Sequence, residues 1–189
     1  MAKIEVTTEK ICYPMPCCLV GANVAGKPTF LTVAWFGMVN PKPPYMMLSL
    51  GPGHYSNPGI RQNGTFSVNI PSASMVEATD YCGIVSGKKY DKSKVFEVFY
   101  GKLKTAPMIA ECPYNLECRL VKTVELPTDE MFIGEIVAAY SEERFMTGGV
   151  PDLAKMSPFV LSMADSRYIG LGAEVGKAWA AGKKLIGKG

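Results

Sequence analysis

Residues 29–72 read TFLTVAWFGMVNPKPPYMMLSLGPGHYSNPGIRQNGTFSVNIPS, and the order of elements in this stretch decides the fold. Thr29–Phe36 is dense in β-branched and aromatic residues, which favour a pleated, half-buried strand. The apolar run Cys17–Val24 precedes it, and the turn Ala25-Gly26-Lys27-Pro28 between them predicts a hairpin. Tyr45–Leu50 predicts another strand after the Pro-rich connection Pro41–Pro44. Next comes the turn Gly51-Pro52-Gly53-His54-Tyr55-Ser56-Asn57 and a short helix over Pro58–Asn63. Asn57 is its predicted N-cap, Pro58 its first residue and Gly64 its stop. Thr65–Ile70 then alternates, with Phe66, Val68 and Ile70 on one face and Ser67 and Asn69 on the other.

Working outward, Leu116–Val124 and Met131–Tyr140 predict a long antiparallel pair turned by Pro127-Thr128-Asp129. Phe159–Met163 and Tyr168–Leu171 are weaker strand candidates. Helices are few. Ser74-Met75-Val76-Glu77 has the capping-box pattern and predicts a helix ending at Gly83. Glu174–Ile186 carries Val175, Ala178, Trp179, Leu185 and Ile186 at near-helical spacing, which predicts a C-terminal helix stopped by Gly187. Six or more strands with few helices in 189 residues predict a mainly β chain, one β-barrel domain over residues 1–189.

Composition removes several function classes. Lys plus Arg is 20 and Asp plus Glu is 17, so the net charge of +3 is too small to argue for nucleic acid. No apolar stretch approaches the ~20 residues needed to span a bilayer, and the N-terminus has no apolar signal core. The expectation is a cytoplasmic chain without a membrane or nucleic-acid partner. The six cysteines make no C-x-x-C pair and His54 is the single histidine, so no metal site is expected. The thiols read as reduced and mostly structural, with a Cys112–Cys118 disulfide as a minor alternative. There is no G-x-S-x-G elbow, no Walker loop and no G-x-G-x-x-G after a strand. The side chains alone offer no catalytic set, which invites a redox cofactor that brings its own chemistry.

Three segments suit such a cofactor. At Gly51–Asn57 a strand, a glycine turn, a hydroxyl and a helix start combine into a phosphate site, although an ordinary capped helix has the same local sequence. At Leu31–Trp35 small residues stand beside an aromatic and would let a flat ring lie on exposed backbone; Trp35 in a buried core is the alternative. At Cys82–Lys94 a helix end gives way to a loop with Lys88, Lys89, Lys92 and Lys94, which either completes an anion site or forms a solvated turn. Cys82 itself reads as a small buried apolar residue rather than a redox group.

Taken together and in order, LTVAWFGMVNPKPPYMMLSL (31–50), GHYSNPGIRQNGTFSVNIPS (53–72) and DYCGIVSGKKYDK (80–92) resemble the flavin reductase-like FMN-binding family, and within it the flavoredoxins. The likeness runs to about Tyr140. It implies a split β-barrel of Greek-key type and a homodimer with one non-covalent FMN per subunit. It also implies an oxidoreductase that passes electrons from NAD(P)H or a protein donor through FMN to a second acceptor. The alternative is a flavoredoxin-type carrier between redox proteins, with a ferredoxin-like donor and no small substrate of its own. By similarity, the backbone of Thr32, Val33, Ala34 and Trp35 borders the isoalloxazine, and Ser49, Leu50 and Gly51 line the same pocket. His54, Tyr55, Ser56 and Asn57 hold the phosphate, with His54 where many relatives carry Lys or Arg. Asn69 contacts the ribityl chain or the ring edge, and Ser86 and Lys92 touch the flavin from the same or the partner subunit. No residue is expected to act as a catalytic acid or base.

Overall fold

The computed structural model describes residues 1–9 and 11–186. Seven antiparallel strands form its main sheet: β1 (Cys18–Val24), β2 (Lys27–Val33), β3 (Phe36–Pro41), β4 (Pro44–Leu50), β5 (Thr65–Ile70), β6 (Tyr114–Glu125) and β7 (Glu130–Ser141). Their order in the sheet is β2-β1-β5-β6-β7-β4-β3. Helix α1 (Ser56–Asn63) lies between β4 and β5, and α2 (Val76–Ile84) follows β5. The sheet curls into a split β-barrel, and the fold is mainly β.

The alternation of each strand explains the core. Val20, Leu48, Phe66, Val68, Cys118 and Phe132 point to one side and are fully buried together with Ile60 of α1. Leu19 of β1 points the other way into a second cluster with Phe30, Cys82, Ile109 and Cys112. β1 is therefore covered on both faces, which is why its sequence is nearly unbroken in apolar residues. The β1–β2 hairpin closes on two residues, Ala25 and Gly26, with φ of 50° and 76°. Both are left-handed, the arrangement that matches strand twist in a two-residue turn. α1 packs directly on β1: a Cβ on Gly59 would stand 2.2 Å from the Asn23 carbonyl oxygen, so only glycine allows the approach.

Several sequence expectations are corrected. β3 takes Phe36 from the predicted strand Thr29–Phe36, since β2 ends at Val33, and runs to Pro41, where the Pro-rich connection begins. It is an edge strand with Met38 and Val39 exposed, so it lacks alternation, and Pro41 and Pro44 sit at the strand ends where a missing N–H is tolerated. α1 starts at Ser56 rather than Pro58, and Asn57 does not cap it. The Asn57 amide instead donates to the Gly51 carbonyl and to Glu130 Oε2, each at 3.0 Å. The capping box at Ser74 does not form. Ser74 shares a hydrogen bond with Ser72, a 3-10 turn over Ala73–Met75 comes first, and α2 runs through Gly83 to Ile84. A continuous helix over 174–186 is absent; only a 3-10 turn at Ala181–Leu185 appears, because no surface of this chain covers its apolar residues. Gly187 lies outside the described residues. Cys112 and Cys118 are free thiols in different core clusters, so no disulfide joins them. The two weaker strands are present as Phe159–Ser162 and Arg167–Gly170, which form a small sheet with Met15–Pro16.

Candidate functional site

Two adjoining cavities lie between the edge strand β2, the start of α1 and the end of α2. The first, about 230 Å³, is bounded by Thr29, His54, Tyr55, Ser56, Ser86 and Lys92. The second, about 460 Å³, runs along Thr32–Trp35 and is closed by Ser49, Leu50, Gly51, Thr128 and Asp129. Leu31 and His54 belong to both, so the two form one elongated slot.

The smaller end gathers a cation, a hydroxyl and a helix start. Lys92 sits on a 3-10 turn (Lys92–Val95) anchored by Asp91, whose carboxylate accepts from the Ser93 N–H. Only 3 % of Lys92 is exposed, and its Nζ donates to the Cys82 carbonyl at 2.6 Å. None of the salt bridges among the described residues involves Lys92, so the ammonium is buried without a counter-charge. Burial holds its pKa below the ordinary lysine value, with the Cys82 thiol pulling the other way. Across the cavity, Ser56 Oγ is buried and has no hydrogen-bond partner. Ser56 is the first residue of α1, where backbone N–H groups and the positive end of the helix face the same space. An uncompensated buried cation, an unpartnered hydroxyl and a helix start converge on one small volume.

His54 joins the two ends. Its partial burial pushes the imidazole below its ordinary value, Lys92 pushes in the same direction, and Asp129 opposes them. Burial and Lys92 thus disfavour the charged form of the ring.

The larger end suits a flat ring. β2 is an edge of the sheet, so no second strand takes the outward N–H and C=O groups of its backbone. Trp35 is 47 % exposed rather than buried, and its carbonyl accepts from the Ser49 N–H at 2.9 Å, which fixes it against β4. Thr32 Oγ1 donates to the Thr79 carbonyl and ties β2 to α2. On the far wall Ser49 Oγ donates to Asp129 Oδ2 at 3.0 Å.

Thr32, Val33, Ala34, Trp35, Ser49, Leu50, Gly51, His54, Tyr55, Ser56, Ser86 and Lys92 thus meet around one slot, and Ser86 and Lys92 come from the same chain as the rest. Two predicted residues do not line it. Asn57 is wholly buried behind the slot, where it links the Gly51 turn to Glu130; Glu130 in turn pairs with Arg61 at 2.6 Å. Asn69 is a correction. Its amide donates to the Leu19 carbonyl and Ser67 Oγ, and its Oδ1 accepts from the Ile109 N–H and Asn115. The short strand Pro107–Ile109 covers that face of β5, so Asn69 pins the core and is fully buried. Sequence reasoning missed Thr128 and Asp129 at the slot. They stand in a turn that the sequence reveals, but nothing local shows that this turn folds over β4.

A model of the flavin reductase-like domain matches residues 11–166 of the chain. Among solved structures, the chain is 50% identical to flavoredoxin from Methanosarcina acetivorans, with a TM-score of 0.96 over 98% of this chain and 100% of that one. It is 31% identical to flavoredoxin of Desulfovibrio vulgaris (Miyazaki F), with a TM-score of 0.91 over 96% and 100% of the two chains. An FMN-binding protein from Thermus thermophilus, at 18% identity and a TM-score of 0.79 over 94% and 97%, shares the fold.

Proposed function

The chain belongs to the flavin reductase-like domain family, and from that premise we propose that it binds one FMN per subunit as a single-domain homodimer and carries electrons through it. The observation that carries this reading is the buried, uncompensated Lys92 facing the unpartnered Ser56 hydroxyl. A phosphate dianion supplies what both lack, and the residues present fit one. Ser56, the N–H groups at the start of α1 and Lys92 hold the phosphate. His54 stands where phosphate and ring ends join. The Thr32–Trp35 backbone donates along one edge of the ring, Trp35 shields part of it from water, and Ser49 with Asp129 borders the other side. FMN held there would supply redox chemistry between a donor, NAD(P)H or a protein, and a second acceptor. The protein's work is to bind, orient and polarise.

The loop beside the anion site favours a second version of this reading. A shallow cleft of about 220 Å³ is lined by Lys27, Lys88, Lys89 and Tyr90, and it shares Tyr55 and Lys92 with the phosphate cavity. Among the described residues none of these lysines is in a salt bridge. Such a surface attracts an acidic protein, so a ferredoxin-like donor would make the protein a carrier rather than an enzyme with a small substrate. Six free thiols suit a reducing cytoplasm. Among the described residues no helix is long and apolar enough to cross a membrane.

Anaerobic titration of the purified protein, followed in the flavin absorbance band, tests the proposal. Rapid bleaching by NADH or NADPH supports the oxidoreductase. Bleaching only by reduced ferredoxin supports the carrier. Well-folded protein that neither copurifies with FMN nor takes it up contradicts both.

A further inference from the structure

After the strand that ends at Gly170, the chain runs to Ile186 with almost no cover from the rest of the molecule. Leu171 is 47 % exposed, Val175 103 %, Trp179 96 %, Leu185 65 % and Ile186 80 %. Single exposed apolar residues are ordinary, whereas a run of them marks an interaction surface. Their helical spacing in the sequence, without a helix in the isolated chain, has the same cause: the apolar side has nothing to pack on.

The molecule carries a matching surface. Tyr45 and Met47 of β4, and Met131 and Ile133 of β7, alternate with the core residues Met46, Leu48 and Phe132 and are only partly buried. Ser49 lies on the same side and borders the flavin slot, so this face is continuous with the site. Arm and face do not meet within one chain, because a tryptophan that is 96 % exposed covers nothing of its own.

We infer that residues 171–186 are an exchange arm that lies on the outer face of β4 and β7 of a second copy of this chain. The inference rests on the homodimer proposed above. Extended, the arm spans roughly 50 Å, more than the roughly 40 Å breadth of a domain of this length. Trp179 alone offers roughly 150–250 Å² for burial. With its apolar neighbours, each arm supplies a large part of the ~800 Å² per partner that a stable interface buries. Reciprocal exchange satisfies two-fold symmetry, each copy giving its arm and receiving the other's.

The chain has two tryptophans, Trp35 and Trp179, so the holoprotein carrying Trp35→Phe reports on Trp179 alone. Its emission and acrylamide quenching are measured alongside sedimentation over a dilution series. In dimers, Trp179 emits to the blue of free tryptophan and is quenched several-fold more slowly; both effects vanish as dimers dissociate. Trp179→Ala, which removes a side chain with no contacts inside its own chain, raises the dimer dissociation constant about tenfold or more. A stable dimer whose Trp179 is quenched like free tryptophan overturns the arm while leaving the homodimer standing. A monomer at every concentration overturns both. Protection of Trp179 that persists in monomers assigns the arm to its own chain and overturns the exchange.

Discussion

A lysine that is 3 % exposed and in no salt bridge among the described residues works against the empty fold and in favour of an anionic ligand. Opposite signs follow for Lys92→Met. The apoprotein melts at the same temperature or higher, while FMN affinity falls at least about tenfold, the scale of a charged hydrogen bond. Calorimetry and flavin titration of the same preparation read both. Ser56→Asp sets a carboxylate against the phosphate and abolishes FMN retention with the circular dichroism unchanged; undiminished flavin content in that variant contradicts the assignment of Ser56. His54 carries a pH signature. Its pKa in the folded apoprotein is lowered from 6.5, so below that value the unfolded chain binds the proton more readily. The contribution of neutral His54 is fully present above pH 6.5 and is lost as the pH falls from there toward the lowered folded value. His54→Asn flattens this part of the stability profile, measured by denaturant titration across pH 5–7. Ser56, His54 and Lys92 line one cavity, a meeting that their separate segments, each readable as a capped helix or a solvated turn, suggest only through the family resemblance. Asn69 was misread: alternation tells which face a side chain takes, but not that Pro107–Ile109 will cover that face.

Among the elements, the β1–β2 hairpin was legible because a two-residue turn has few solutions. One flaw remains in it. Ala25 holds φ of 50°, a conformation that costs an L-residue with a plain Cβ about 1–2 kcal/mol. Ala25→Asn, which keeps the turn and tolerates that conformation, raises unfolding stability by about 1 kcal/mol, as urea denaturation would show. An unchanged or lower midpoint would mean that the turn relaxes at no cost. β3 was not legible, because an exposed edge strand that ends in proline has no pattern to distinguish it from a loop. The start of α1 was off by two residues for a tertiary reason: Asn57, a good cap by type, is drawn to Gly51 and Glu130 instead. That shift places Ser56 on the first helical position with its hydroxyl unpartnered, and the proposed anion site depends on it.

At the scale of the whole molecule, the barrel supports an elongated slot. β2 is left as an open edge, α1 aims its start along that edge, and the lysine of a distant 3-10 turn closes the far end. The fold class was legible from strand count and turn chemistry. The Asp129 wall and the uncovered arm were not, since both depend on contacts between segments far apart in the chain or on a second copy. The anion at the narrow end is the central claim, and comparing the affinities of the apoprotein for FMN and riboflavin tests it most directly, because these ligands differ only in the phosphate. The account predicts that FMN binds roughly a hundredfold or more tightly, through the charged and neutral hydrogen bonds of Lys92 and Ser56. Equal affinity for the two flavins would contradict it.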